Sequence, residues 1–221
     1  AVVAATVTST AVTAHLLHRA RKKEVPPRYA AATAMLATTI SLGRVGIIGS
    51  ALSSSIALRI WIPLGAAILV SLGIAAIARL ADGAGKGEAS ERPLRSPLDI
   101  VSVGKFALLL AVLTVMAKLS AVWFGDVGLN VFAATAGLVD VDAVTLAVGS
   151  IGGLAAMAAA QAILIAAATN TMFKAGIGIA TGGRVFALWF GAACLAALAV
   201  GAAGFVLTAA WIAPSAGLDA P

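Results

Sequence analysis

Run after run of some twenty apolar residues, parted by short polar turns, leaves this chain few ways to fold. In hydrocarbon every backbone N–H and C=O must be satisfied inside the protein, so only helices and closed barrels span a bilayer. Runs of about 20 residues match the roughly 30 Å that a helix must cross. Composition agrees: 61% of the 221 residues are hydrophobic and 11% charged, against about 25% charged in a typical soluble domain. The mean hydropathy is +1.05. The sequence therefore predicts an all-α polytopic membrane helix bundle of about seven transmembrane spans.

The spans fall at about Ala1–Leu17, Tyr29–Leu52, Trp61–Leu80, Val101–Phe124, Val127–Ser150, Leu154–Thr181 and Val185–Trp211. Residues 1–80 read as a first membrane repeat whose opening helix is missing, and 98–213 as a second. The polar linker 81–97 joins them, and 214–221 is a loose tail. Because the chain starts within an apolar run, it reads as a piece of a longer polypeptide. The net charge of +6 is concentrated in the 19–28 loop, where Arg19, Arg21, Lys22, Lys23 and Arg28 crowd together. That pattern marks a cytoplasmic loop of an inner (plasma) membrane protein rather than a nucleic-acid surface. Loop 19–28 and linker 81–97 are both expected on the cytoplasmic side, with the C-terminus there too. Trp61, Trp123 and Trp189 then fall at the outer boundary, and Trp211 at the inner one. Cys194, the single cysteine, excludes an intrachain disulfide and reads as a small packed residue.

Two pairs of spans share a signature. Thr8-Ser9-Thr10-Ala11-Val12-Thr13 aligns with Asp140-Val141-Asp142-Ala143-Val144-Thr145. Thr39 to Ile47 aligns with Thr169 to Ile177, laying Ser41 on Thr171, Arg44 on Lys174 and Gly46 on Gly176. With four spans between the copies, both should have the same orientation, a parallel internal repeat.

These segments resemble a bacterial and archaeal membrane domain of unknown function, the family numbered four thousand and ten. The most specific stretches are Gly137 to Thr145 and Asn170-Thr171 with Lys174-Ala175-Gly176. Members commonly follow an MgtC/SapB-like segment in one polypeptide, which makes such a segment, or a second copy, a candidate partner. The resemblance brings no activity with it, so chemistry has to come from the residues.

A carboxylate at bilayer depth costs about 2.5–3.5 kcal/mol on insertion scales, so Asp140 and Asp142 in the fifth span should face a polar interior. Residues three or four apart share a helix face, pairing Asp142 with Thr145, Thr10 with Thr13, and Ser41 with Arg44. Two residues apart, Asp140 and Asp142 diverge on a regular helix, but a break near Gly137 would let them converge. Two acids balance two bases, Arg44 and Lys174, and all four are expected together, with Thr145, Asn170, Thr171, Ser41, Thr10 and Thr13 lining a path. The expected function is a transporter or channel-like pathway for an ion or small polar solute, with Asp140 and Asp142 as candidate cation or metal ligands. The alternative is a non-transporting regulatory or scaffold subunit whose buried charges are structural. No cofactor motif appears, and no nucleophile–base pair or metal triad at bilayer depth points to an enzyme.

Overall fold

The computed structural model describes residues 25–81 and 100–212. The first expected span, most of the basic loop, linker residues 82–97 and the tail lie outside them. Six helices follow in order: α1 (Pro27–Leu52), α2 (Ser54–Leu80), α3 (Ile100–Gly137), α4 (Val141–Gly149), α5 (Ala156–Thr181) and α6 (Arg184–Ile212). Five of them (α1, α2, α3, α5 and α6) are long and apolar enough to cross a membrane.

Local chemistry sets the boundaries. Pro26-Pro27 starts α1, since proline suits the first helical turn, where its missing N–H is not needed. Ser53, in extended conformation, is the whole interruption between α1 and α2, so α2 begins earlier than expected. Pro63 lies inside α2, fully buried, and leaves the carbonyl of Arg59 without its usual helical donor.

The two helices hold each other through small residues. A methyl group at Gly46 would come within 2.9 Å of the Trp61 ring, and the Trp61 indole N–H donates to Ser50 Oγ at 2.7 Å. On α5, Gly178 likewise seats Phe190 and Phe186 of α6, whose rings lie 5.4 Å apart. Gly201 and Gly204 of α6 bring that helix onto Pro63 of α2. Close backbone approach of this kind maximises van der Waals contact where lipid supplies no hydrophobic driving force.

The largest departures from expectation concern the fourth and fifth spans. α3 reverses at Gly125, whose φ of 60° and ψ of −149° belong to glycine alone. Arm 126–137 folds back on arm 100–124, with Gly128 against Ser120 and Phe124. The expected continuous span 127–150 is then broken a second time at 138–140, after which α4 begins. Gly137 lies against Ala166 and Thr169 in the middle of α5, so a side chain there would collide with backbone.

The sense of each helix follows from its contacts. Arg28 donates to the Ala81 carbonyl and lies over the Trp189 ring, so α1 starts, α2 ends and α6 starts at one end of the bundle. α4 runs beside α1 in the same sense, Asp142 meeting Arg44 and Gly149 abutting Leu52. α4 thus finishes at the Leu52 end, and α5 runs from there back to the Arg28 end. Three expectations are corrected by this geometry. The matched helices α1 and α5 run in opposite senses, so they do not form a parallel repeat. Trp61 and Trp189 lie towards opposite ends. α6 finishes at the end away from Arg28. One physical cause accounts for all three: a span counted as one crossing is two half-helices joined at a break.

One core cluster unites Leu42, Ile60, Leu129, Val144 and Ile163, drawn from five helices, with Ala197 from the sixth. A second gathers Met35, Ala78, Phe186, Phe190 and Cys194. Arm 100–124 is the exception, with most of its large apolar side chains exposed, among them Leu108, Val112 and Trp123.

Candidate functional site

α4 begins inside the bundle, and its first turn carries the charged cluster. Asp140 is the N-cap, in extended conformation, and its Oδ1 accepts from the backbone N–H groups of Asp142 at 2.9 Å and Ala143 at 3.1 Å. A helix start leaves N–H groups without partners and carries partial positive charge, so a carboxylate there both caps and compensates. Asp140, expected as a cation ligand, thus commits one oxygen to holding the break. A break near Gly137 is expected from the sequence, but not that Asp140 caps the helix that follows it.

Asp142 follows in the first turn and is 4% exposed. Its Oδ2 meets Arg44 Nη2 of α1 at 2.7 Å. The pair is single-contact. Asp142 Oδ1 and Arg44 Nε are both buried without a hydrogen-bond partner among the described residues, although a forked geometry would join such atoms. Lys174 of α5 is 3% exposed and within Coulombic reach of Asp142, Arg44, Asp140 and the Cys194 thiol. Lys174 therefore does not snorkel to an interface. The structure brings all four expected charges together, formally neutral as a set.

The hydroxyls donate within their own helices. Thr145 Oγ1 donates to the Val141 carbonyl at 2.8 Å and Thr171 Oγ1 to Ala167 at 2.8 Å, each on its own helix. Both residues are buried, so their protons are committed to the preceding turn. Ser41 is buried one turn before Arg44, and Asn170 is half-buried beside Thr171. Thr10 and Thr13 lie outside the described residues. Sequence reasoning placed a break near Gly137 but not its contact with α5, which the lack of a side chain permits, and it gave Gln161 no part in the site. Gln161 and Thr171 supply the polar side chains to a cavity of about 250 Å³ among α1, α2, α5 and α6, lined otherwise by residues such as Leu42, Leu64 and Phe205. Leu42 and Thr171 place its wall within one turn of Arg44 and Lys174. Among the described residues no three His, Cys, Asp or Glu side chains gather as a metal-binding set.

Long apolar helices, glycine-mediated packing and a charged cluster gathered in the interior define a polytopic helical membrane protein. The chain belongs to the family described as Domain of unknown function (DUF4010), whose model matches residues 1–182. It is also similar to an uncharacterized protein of Aquifex aeolicus (strain VF5), 27% identical over 106 residues, 47% of this chain. The match spans 46% of that relative's length, about half. No solved structure matches.

Proposed function

We propose that this protein is a transporter or channel-like pathway for an ion or small polar solute, working at the break before α4. The observation that carries the reading is the Asp142 carboxylate, buried at a helix interruption, paired through one oxygen and unpartnered at the other. Interrupted helices at mid-depth, flanked by matched segments of opposite sense, are a recurrent way of building transporter sites. Here α1 and α5 carry the matched segments, making the repeat an inverted one. At roughly 37 Å, arm 100–124 is long enough to cross by itself, so 126–149 is read as a re-entrant hairpin entering and leaving at the Leu52 end. The basic residues of loop 19–28 favour reading the Arg28 end as cytoplasmic, in an inner membrane.

The test is solute flux in proteoliposomes, screening cations, protons and small polar solutes. Asp142→Asn should abolish the flux, whereas Asp126→Asn, an exposed position next to Gly125, should leave it intact. Equal flux through Asp142→Asn and the unaltered protein would remove the site from the pathway.

A further inference from the structure

The geometry points to a proton, bound at Asp142 Oδ1, as the ion this site takes up. The inference rests on the reading of the α4 break as the working site and narrows its ligand. Four observations converge on it.

First, Oδ1 is an acceptor on a side chain that is 6% exposed, and no donor among the described residues reaches it. A lone pair without a donor, shielded from water, is a costly arrangement that a single proton relieves. Second, the surroundings disfavour a metal ion. Arg44 from α1 and Lys174 from α5 both lie within Coulombic reach of Asp142. A divalent metal cation would bring two positive charges against them, where a proton brings one. Third, the oxygen supply is short. Mg²⁺ demands about six oxygen ligands and Ca²⁺ six to eight. Here Asp140 Oδ1 is held by two backbone N–H groups, and among the described residues no three His, Cys, Asp or Glu side chains gather to complete such a set. A proton needs one lone pair. Fourth, the adjoining cavity is walled mostly by Leu, Ala, Ile and Phe side chains, which do not replace a hydration shell.

The charged and titratable groups around Asp142 are Arg44 on α1, Asp140 at the cap of α4 and Lys174 on α5, with Cys194 on α6 behind Lys174. Uptake is simple in its balance. One proton adds to Oδ1, the O–H bond forms, and the set goes from neutral to one net positive charge. Arg44 then faces a neutral carboxyl while Lys174 still repels it. Its side chain is 34% exposed, so it has an edge to move towards. Proton binding thus loosens the tie between α1 and α4, and proton loss restores it.

The experiment is infrared difference spectroscopy of the purified full chain in liposomes, stepped in pH at fixed ionic strength, with no gradient imposed. The expected result is one protonated-carboxyl band that grows as pH falls. It should be lost completely in Asp142→Asn, retained in Asp140→Asn, and shifted in Asp142→Glu, which keeps a titratable group should the amide variant fail to fold. Calorimetric titration of the same sample with MgCl₂ and NaCl should give no Asp142-dependent heat. A carboxylate that stays ionised at every pH at which the chain is folded, a band that survives Asp142→Asn, or saturable Mg²⁺ or Na⁺ binding lost in that variant would each overturn the assignment. Because this is an equilibrium measurement, titration without any flux would count against the transport reading alone.

Discussion

The α1–α2 and α5–α6 hairpins start from matched sequence and end with different electrostatics. Each seats aromatic rings on a glycine, Trp61 over Gly46 in one and Phe190 over Gly178 in the other. In the first hairpin the ring carries an N–H that finds Ser50, and the basic residue, Arg44, is half-buried with a carboxylate at 2.7 Å. In the second the rings are wholly apolar, and the basic residue, Lys174, is 3% exposed within Coulombic reach of the pair. The packing device is preserved while the polar chemistry has diverged. Helices of opposite sense with similar segments therefore share a packing device without sharing a charge role, and the asymmetry falls on the residues around Asp142.

The comparison breaks most readily at the two bases. Arg44→Met should cost on the order of 3 kcal/mol, measured as reversible unfolding in micelles, because it strips a buried carboxylate of its direct partner. Equal losses for Arg44→Met and Lys174→Met would mean that the two bases are equivalent after all. Next come the glycines. Gly46→Val and Gly178→Val should each destabilise by about 1–3 kcal/mol through overpacking against rings. Thermal unfolding of the two variants side by side tests whether the hairpins use the same device. A loss at one glycine only would confine it to one hairpin. Trp61→Phe should cost about 0.5–1.5 kcal/mol by removing the bond to Ser50, and Ser50→Ala should add little to it in a double-mutant cycle. Lys174→Met should be smallest, within about 1 kcal/mol of neutral, since the lost attraction to the carboxylates is offset by sparing the several kcal/mol that burying an ammonium costs.

Much of the helix content was legible in the chain. Hydropathy located α1, α2, α5 and α6 to within a few residues, apart from the earlier start of α2 at Ser54, because apolar length is a local property. The meeting of Asp142 with Arg44 and Lys174 was also readable, since intramembrane charges must find opposite charges. What escaped was direction. Whether 126–149 crosses or turns back depends on Gly137 meeting Ala166 and on Asp140 capping α4, both settled by packing against other helices. An averaged hydropathy is the same either way, and one miscounted crossing inverted every later helix. The threonines were legible as positions only. Helical spacing placed Thr145 and Thr171 near the charges, but it says nothing about where a hydroxyl sends its proton.

Pro63 offers a last consequence. With Arg59's carbonyl relieved of its axial donor, α2 has a compliant point one third of the way along, and Gly201 and Gly204 of α6 rest on it like a bearing. Flexure there would be passed to α6 as sliding, with no bulky side chain in the way. The wall of the cavity beside Leu64 and Phe205 would widen or narrow accordingly, so that a missing backbone donor in α2 becomes a control on internal volume.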